Sequence, residues 1–599
     1  MSLDARRIST GAQTGARDEP RRRTALHLSL LAAFVFVCCW PLLFYGLPKL
    51  SDDAIIHSGW DKGFSTQLAA GEWYPRWIAD ENDGLGSPVF FYYAPIPSYA
   101  SSAFQFLFGS RDPDGWFETG YGCFLAVLIS AIGAYFWLRS HADGQAALFG
   151  AVIYVFAPYH LAVDLYVRGA TAELWTFAWL PFILLCVEGL GRRSKWGFPG
   201  LAVSYALLLM THLPTVVSFS PVVLGAAFFL ARRNRRIATA LEALGAMALG
   251  AGLAAIYLVP AMLDQWKVNI LHLVSPIFDF RYQWFFRPIA WGLDFPERMA
   301  ILNMTLFAFI GILLWACLRH GTNRDQRRVA IFYAGVTVFA FVFMSQLSYP
   351  FWSHIRYLRF IQFPWRFSVL PPLTAAVLSA LSFSYLRERR PRAALIFLFV
   401  LVGGCIGFTV WAALPAIPGF AGARNSWVPA FSARIKARPG PCEYLPATVG
   451  VAATCSNDAA TRVQMFQDLL GGRAAKSAFF PAGSADESEG AASVIEWKAR
   501  KVILDVDAPA AAPLTLLHFY YAGWSARIAQ TGEAIPIGPS TPDGFMQLSV
   551  PQGKDEIVIE LPTQPTEKVG RLISLLSLVC LALIVIFLKM KAPLPTLAD

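Results

Sequence analysis

The sequence predicts an α-helical membrane protein with about twelve transmembrane helices and a β-rich domain inserted before the last one. Hydrophobic residues make up 56% of the 599 positions and charged residues only 15%. Apolar runs that approach or exceed the roughly 18–20 residues needed to cross a bilayer recur along the chain. The formal net charge of +10 is distributed between these runs, so it does not indicate nucleic acid binding.

Twelve apolar runs are predicted to cross the membrane, with ends defined to about 2–4 residues. They cover residues 25–47, 118–139, 145–162, 170–190, 197–211, 213–231, 237–262, 299–318, 328–346, 367–386, 394–415 and 571–588. A further apolar stretch, residues 88–109, contains Pro95 and Pro97. Internal prolines suit a helix that lies against protein, so this stretch is expected to be interfacial or re-entrant.

Basic residues predict the orientation of these segments. A disordered, arginine-rich tail is expected over residues 1–24, and Arg or Lys clusters follow every even-numbered segment. By the positive-inside rule, both this tail and the last residues, 589–599, are expected in the cytoplasm. The transmembrane domain would then extend over 25–415, with a large first external loop at 48–117.

Residues 416–570 are expected to form an extracytoplasmic β-rich domain. Short runs of alternating apolar and polar residues, bounded by turn residues, predict antiparallel strands. These runs are residues 493–497, 501–506, 546–550 and 556–561. Cys442 and Cys455 are the only cysteines outside the predicted spans. An external location would permit a disulfide between them, and two buried free thiols are the alternative.

Titratable residues follow directly after the first span. Asp52, Asp53 and His57 lie at the beginning of the first external loop. The sequence contains no P-loop, no His-Glu-x-x-His, no dinucleotide fingerprint and no paired CxxC, which argues against nucleotide chemistry on the cytoplasmic side. The remaining candidates for chemistry are polar residues at the predicted external ends of spans.

Several motifs resemble a family of bacterial membrane proteins, the 6-pyruvoyl-tetrahydropterin synthase-related family, which is itself similar to the GT-C glycosyltransferase superfamily. The motifs are DAIIH (53–57), LAAGEWYPRW (68–77), GLGSP (84–88), FYYAP (91–95), PYH (158–160) with Asp164, Arg168-Gly169 and Glu173, THLP (211–214), FPWRF (363–367) and FYYAGW (519–524). The family name refers to a pterin enzyme, but no zinc-type histidine cluster is apparent, so pterin chemistry is not expected.

The resemblance implies an enzyme of the bacterial inner membrane that works at the outer face. Such enzymes carry an acidic motif after the first span and use a polyprenyl-phosphate-linked sugar as donor. The acceptor would be a glycan, a lipid or a protein of the cell envelope. In an inverting transfer a general base removes the proton of the acceptor, and Asp53 is expected in this role, with Asp52 as its partner. The two carboxylates could instead bind Mg²⁺ or Mn²⁺.

Arginines near span ends are expected to bind the phosphate of the donor, because a guanidinium matches phosphate oxygens with two hydrogen bonds. The residues assigned to substrate binding on position or resemblance are Arg76, His160, Arg168, Glu173, His212, Arg356 and Arg366.

Each assignment has a structural alternative. Arg168 and Glu173 could simply pair at the start of a helix. Arg366 could be an interfacial anchor stacked on an aromatic ring. His57, which is a third candidate catalytic residue beside Asp53 and Asp52, could instead be a structural loop residue, and His212 could cap a turn.

Two other classes of protein remain open at this stage. A transporter or flippase of lipid-linked glycans would require charged residues deep in the spans, whereas most predicted spans have apolar centres. A non-catalytic scaffold would explain the inserted domain but not the acidic first loop with its arginines. A membrane glycosyltransferase is therefore the favoured function.

Overall fold

The computed structural model describes residues 5–48, 51, 53–109, 112–275, 278–285, 294–319, 323–413, 441–450, 455, 459–481 and 490–590. Within these residues, nine helical segments are long and apolar enough to cross a membrane, by length and composition, and three shorter apolar helices accompany them. Each of the twelve predicted intervals overlaps one of these segments. The predicted fold class, a polytopic helical protein with a β-rich domain before the last helix, is confirmed.

The helices that precede the β-rich part are numbered here in chain order. They are α1 (Ala5–Tyr45), α2 (Ala54–Ala69), α3 (Val89–Tyr92), α4 (Ile96–Phe108), α5 (Trp116–Leu138), α6 (Gly144–Phe156), α7 (Thr171–Gly191), α8 (Gly197–Leu209), α9 (Leu213–Phe229), α10 (Arg236–Leu253), α11 (Ala255–Leu263), α12 (Asp294–Arg319), α13 (Arg324–Met344), α14 (Tyr349–His354), α15 (Pro371–Arg389) and α16 (Pro391–Ala413). A π-helix covers Tyr159–Arg168, and 3-10 helices include Arg356–Ile361 and Pro364–Val369.

Two segments differ from the expectation. Residues 5–24, expected as a disordered tail, continue helix α1 towards the N-terminus. Six of these twenty residues are Arg, which favours helix, and extending an existing helix requires no new nucleation. The segment around His160–Arg168, expected as a loop, is the π-helix. It continues the third span to Arg168, because its two charged side chains are compensated inside the protein.

The proline-containing stretch at 88–109 is divided into two helices. Helix α3 ends at Tyr92 and α4 begins at Ile96 after Pro95. Tyr93, at the break, has an extended backbone. The break is explained by the prolines, which restrict the preceding residues to extended conformations and donate no backbone hydrogen bond.

The β-rich domain consists of two antiparallel sheets followed by the last helix. Its elements are α17 (Ala459–Leu470), β1 (Ala478–Phe479), β2 (Ala491–Lys498), β3 (Lys501–Ala508), β4 (Ala512–Phe519), β5 (Ser525–Ile528), β6 (Ala534–Ile535), β7 (Ile537–Pro539), β8 (Phe545–Val550), β9 (Gly553–Glu560) and α18 (Pro565–Met590). The strand order is β1-β4-β8-β7 in one sheet and β2-β3-β9-β5-β6 in the other. A disulfide joins Cys442 and Cys455.

The four predicted strands correspond to β2, β3, β8 and β9, whereas strands β1, β4, β5, β6 and β7 and helix α17 were not predicted. The side chains of β4 are buried on both faces from Leu514 to Phe519, so its sequence lacks the alternation by which half-buried strands are recognised. The first part of the predicted domain, residues 416–440, lies outside the described residues.

The first loop packs into the β-rich domain and shares its core. The Trp77 indole N–H donates to Nε2 of His518 at 3.0 Å, and the hydroxyls of Tyr92 and Tyr521 lie 2.9 Å apart. Gly86 has a φ of +87°, and a Cβ there would lie 2.5 Å from both the Trp77 and His518 rings. Only glycine therefore permits this close approach. The contact anchors the loop that begins with Asp53.

Candidate active site

Asp53 lies immediately before helix α2, where the first loop meets the π-helix. Its backbone N–H donates to the carbonyl oxygen of Arg168 at 2.7 Å. Its side chain does not cap the helix and is 40% exposed. Its carboxylate lies 3.6 Å from Nη2 of Arg168. The structure thus presents one carboxylate to solvent beside a buried cation. Asp52 lies outside the described residues, so the role assigned to it remains a prediction.

Arg168 is surrounded by carboxylates from three elements. Its Nη1 lies 2.7 Å from Oδ1 of Asp164, one turn earlier in the π-helix, and 2.7 Å from Oε2 of Glu173, in the first turn of α7. The Arg168 side chain is only 6% exposed. A buried guanidinium requires such partners, because isolated charge in a low-dielectric interior is strongly unfavourable. The alternative noted from the sequence, that Arg168 and Glu173 pair at a helix start, describes this contact.

Gly169 allows the π-helix and the first loop to meet. Its φ is +63°, and a Cβ there would lie 2.5 Å from Oγ of Ser51. A side chain at this position would therefore displace the loop that carries Asp53.

Arg366 is the second cation of the group. It lies in the 3-10 helix Pro364–Val369, and its Nε is 3.5 Å from Oε2 of Glu173. Its Nη1 donates to the carbonyl oxygen of Ile361 at 2.9 Å and to Oε1 of Gln362 at 3.2 Å. Gln362 has a φ of +65°, a strained backbone of the kind that collects at functional sites.

We call Asp53, Asp164, Arg168, Glu173 and Arg366 the Asp53 cluster. It contains three carboxylates and two guanidinium groups, so acids outnumber cations by one. Asp53 is the most exposed of the five side chains, whereas Arg366 is 15% exposed and Glu173 only 2%. The carboxylate that reaches solvent is thus held by a buried network and is available to a ligand.

Aromatic side chains complete the surroundings of Arg168 and Glu173. The Trp365 ring centroid lies 4.8 Å from the Arg168 guanidinium carbon, a cation–π contact. The Tyr159 hydroxyl donates to Oε1 of Glu173 at 2.6 Å. Neither aromatic residue was predicted as part of the site. The contact of Asp164 could have been predicted from the sequence. Asp164 is four residues before Arg168, a spacing at which two side chains can form an ion pair along one face of a helix.

The predicted histidines occupy different environments. His57 is buried between the rings of Trp60 and Tyr93, at centroid distances of 5.6 and 5.8 Å. Burial lowers the pKa of His57 to about 4, against the opposing effect of the Asp53 carboxylate. It is therefore neutral at pH 7. The rings of Trp60 and Tyr93 are also in contact with Tyr444 of the β-rich domain, at 5.8 and 6.2 Å.

His212 and His160 lie further inside the protein. Nδ1 of His212 is 2.8 Å from Oγ1 of Thr215, at the start of α9. Burial lowers the pKa of His212 to about 3, and the Glu173 carboxylate opposes this effect. His160 stacks on Phe177 with a centroid distance of 3.9 Å, and its Nδ1 lies 3.1 Å from the carbonyl oxygen of Tyr154. These contacts place His160 in the helical core.

The structure does not bring the two remaining predicted ligands to the Asp53 cluster. Arg76 is fully buried, and its Nε lies 2.9 Å from Oε1 of Glu567 at the start of the last helix. Its Nη2 also donates to the carbonyl oxygen of Ile256 at 2.6 Å. Arg356 is exposed on the 3-10 helix Arg356–Ile361. Their predicted role in substrate binding has no support from these contacts.

Among the described residues, no group of three or more His, Cys, Asp and Glu side chains could hold a metal ion. The Asp53 carboxylate pairs with the guanidinium of Arg168 at 3.6 Å. Because Asp52 is not among these residues, the predicted pair of acidic metal ligands remains a prediction.

Comparison with solved structures finds distant similarities. One is to the crystal structure of ArnT from Cupriavidus metallidurans bound to undecaprenyl phosphate, with a TM-score of 0.40 and 15% identity over 74% of this chain and 75% of that chain. Another is to a mutant of the arabinofuranosyltransferase AftD from Mycobacteria, with a TM-score of 0.41 and 16% identity over 68% of this chain and 30% of that chain.

A third similarity is to the oligosaccharyltransferase of Archaeoglobus fulgidus in the apo form, with a TM-score of 0.39 and 12% identity over 74% of this chain and 59% of that chain. This chain spans less than two thirds of the last two proteins. At such TM-scores these structures assign no activity to it.

Curated proteins include no significant match to this chain. The model of the 6-pyruvoyl-tetrahydropterin synthase related domain, described as a membrane protein, matches residues 90–412. Because the match covers more than half of the chain, the protein belongs to the 6-pyruvoyl-tetrahydropterin synthase related family of membrane proteins.

Proposed function

We propose that this protein is a membrane glycosyltransferase. It would transfer a sugar from a polyprenyl-phosphate-linked donor to a glycan, lipid or protein acceptor of the cell envelope. The observation that carries this proposal is the exposed carboxylate of Asp53, held beside the buried Arg168 and close to the ends of several spans. A hydrophilic acceptor and a lipid-borne donor can both reach such a place.

In the proposed reaction Asp53 acts as general base. One of its carboxylate oxygens takes the proton of the acceptor hydroxyl while the hydroxyl oxygen attacks the anomeric carbon of the sugar. The new bond forms as the bond between that carbon and the phosphate oxygen breaks, and the phosphate leaves with the electron pair. A single displacement of this kind inverts the configuration of the anomeric carbon.

The leaving phosphate requires positive charge. Arg366 is better suited to contact it than Arg168, because Arg168 already has two carboxylate partners at 2.7 Å. Among the described residues, Arg366 has one carboxylate contact, between its Nε and Oε2 of Glu173 at the longer distance of 3.5 Å, and this Nε makes no hydrogen bond. Arg168 would act indirectly, by holding the carboxylate of Asp53 in place.

His57 would position the reacting groups and would not transfer a proton. With a pKa of about 4 it is neutral at pH 7, so it carries no proton to donate as an imidazolium. Its backbone N–H donates to the carbonyl oxygen of Asp53 at 3.1 Å, which ties the base to the first turn of α2. The nearby rings of Trp60, Tyr93 and Tyr444 offer apolar faces of the kind on which sugars stack.

The location of the site is also part of the proposal. We infer that both termini are cytoplasmic, that the membrane is the bacterial inner membrane, and that the β-rich domain and Asp53 face outward. The arrangement of arginines along the sequence supports this orientation. A divalent cation at Asp52 and Asp53 remains a prediction, and the proposed step does not require it.

The experiment is glycan profiling of a deletion strain that carries wild-type protein or Asp53→Asn, with membrane abundance measured for each. Loss of a general base lowers the rate by roughly 10²–10⁴, so the glycan should be absent with Asp53→Asn at normal abundance. Asp83→Asn is the matched control. It makes the same change in the same loop, at a φ of +60° that asparagine tolerates.

Full restoration of the glycan by Asp53→Asn would show that Asp53 is not the base. A deletion that changes no glycan would instead favour the transporter or the scaffold. The position of the charged residues argues against a transporter. Arg168 and Glu173 of the Asp53 cluster lie near the ends of spans and not at their centres.

A further inference from the structure

An open groove lies between helices α9 and α13, far from the Asp53 cluster. Its volume is about 640 Å³. Its apolar walls include Val222, Phe229, Phe332, Val336 and Phe339. The rings of Phe229 and Phe332 face each other at a centroid distance of 6.3 Å. Phe229 is 53% exposed and Ile331, also in the lining, 52%.

One end of this groove is strongly basic. Four arginines line it, namely Arg236, Arg324, Arg327 and Arg328. No acidic side chain is found among the described residues that line the groove. The nearest acid in sequence, Asp325, is exposed on the same helical turn, so cations still outnumber acids by three.

The arginines are incompletely satisfied by the protein. Arg328 Nη2 donates to the carbonyl oxygen of Ala231 at 2.7 Å and so connects α13 to the segment before α10. The Nε of Arg236 is buried and has no hydrogen-bond partner in the part of the chain that the structure describes. A buried donor without a partner is unfavourable unless a ligand supplies an acceptor.

The groove and the Asp53 cluster lie towards opposite ends of α13. Oγ of Ser368, close in sequence to Arg366, contacts Sδ of Met344 at the C-terminal end of the helix. Arg328 is sixteen residues earlier, which corresponds to about 24 Å along a helix. The groove is therefore a separate site.

We infer that this groove binds an anionic phospholipid, with its acyl chains along the apolar walls and its phosphate at Arg236 and Arg328. Helix α13 is long and apolar enough to cross a membrane, and α9 is a shorter apolar helix beside it, so we infer that the open side of the groove faces lipid. Arginines at the ends of membrane helices attract anionic head groups. The combination of apolar walls, excess positive charge and an unpartnered buried donor selects a phosphate-bearing lipid over a neutral one.

The test compares purified protein with added phosphatidylglycerol, phosphatidylcholine or inorganic phosphate. We expect phosphatidylglycerol to raise the unfolding temperature and to be retained after delipidation, as measured by mass spectrometry. The double variant Arg236→Gln/Arg328→Gln should lower the retained ratio of phosphatidylglycerol to phosphatidylcholine about fivefold for each arginine removed. Arg389→Gln/Arg390→Gln, which removes two exposed arginines near the end of α15, is the charge-matched control.

A second variant blocks the groove without a change in charge. An added Cβ at Gly335, in the lining, meets no atom within 4 Å, so Gly335→Leu should fold and fill the space intended for an acyl chain. Gly311→Leu in α12 is its control, because Gly311 is equally open and does not line the groove.

The proposal would be overturned if the double arginine variant and Gly335→Leu both retained as much phosphatidylglycerol as the wild type. Equal stabilisation by phosphatidylcholine, or by inorganic phosphate alone, would also overturn it, because the site would then need either no charge or no lipid chain.

Discussion

Two buried groups of arginines and carboxylates can be compared in this molecule. The Asp53 cluster has three acids and two cations, and one acid reaches solvent. The other group, which we call the Glu567 cluster, consists of Arg76, Arg500 and Glu567, and Arg571 lies at its edge, 3.8 Å from the Glu567 carboxylate. Nε of Arg76 and Nη2 of Arg500 each lie 2.9 Å from Glu567, and the side chains of Arg76 and Glu567 are fully buried.

The Glu567 cluster connects three parts of the chain. Arg76 belongs to the first loop, Arg500 lies between β2 and β3, and Glu567 is in the first turn of α18. Both arginines also donate to carbonyl oxygens, Arg76 to that of Ile256 and Arg500 to those of Leu561 and Pro562. Its polar groups are thus directed at one another, which suits a structural connection. In the Asp53 cluster the surplus carboxylate points outward, which suits chemistry.

The largest expected difference concerns stability. Glu567→Gln would leave two buried guanidinium groups without their carboxylate, and breaking a buried ion pair costs roughly 3–5 kcal/mol. Asp53→Asn should cost under about 1 kcal/mol, because an exposed pair contributes little. Thermal unfolding in detergent, together with membrane abundance, measures both. Equal losses in the two variants would remove the proposed distinction between the clusters.

Acid should weaken the surroundings of both clusters through buried histidines. Burial lowers the pKa of His57 to about 4, and that of His518, in the contact between the first loop and the β-rich domain, to about 3. In the unfolded chain the pKa is about 6.5. The folded state therefore stays neutral while the unfolded state takes up protons, and stability falls as pH decreases from about 6.5 towards 4.

The hydrogen bonds of His518 give this effect a structural basis. Its Nε2 accepts from the Trp77 indole, and its Nδ1 lies 3.2 Å from the carbonyl oxygen of Gly84. Protonation of Nε2 would place a second ring N–H against the Trp77 indole N–H, so that this hydrogen bond would be lost. The free energy of unfolding should decrease by up to about 1.4 kcal/mol for each histidine and pH unit. This pH dependence of stability is measured from unfolding temperatures at pH 7 and pH 5. The proteins compared are the wild type, His57→Gln and His518→Gln. Exposed His354→Gln is the control, and an unchanged pH slope in both test variants would contradict the explanation.

The smallest expected difference compares two buried tyrosines. Tyr159→Phe removes a hydroxyl that donates to the Glu173 carboxylate at 2.6 Å. Tyr154→Phe removes one that donates to the carbonyl oxygen of Phe177 at 3.0 Å. Hydrogen bonds to charged groups contribute about 1.5–3 kcal/mol and neutral ones about 0.5–1.5 kcal/mol. Tyr159→Phe should thus be more destabilising by about 1 kcal/mol, as measured by thermal unfolding. The reverse order would indicate that the Glu173 contact is not a charged hydrogen bond.

Local sequence patterns predicted the helices and strands whose surroundings stay the same along their length. Helices surrounded by lipid or by an apolar core have continuous apolar runs in their sequence, and half-buried strands such as β3 have alternating apolar and polar residues. Strand β4 was missed because both of its faces are buried. Among the site residues, the Arg168–Glu173 contact was anticipated as one of two alternatives, since the residues are five apart at a helix start. The contribution of Arg366 to the same carboxylate connects distant segments, and no local pattern reports it.

The sequence by itself determined the membrane class, the approximate positions of the spans, the β-rich character of the late insert and the presence of an acidic motif after the first span. These properties depend on composition and on periodicity within short segments. Only the tertiary structure decided which charges meet. It paired Arg76 with Glu567 and left the Asp53 carboxylate exposed beside Arg168. The reason is physical, because burial and charge compensation depend on neighbours that are distant in sequence and are brought together only by packing.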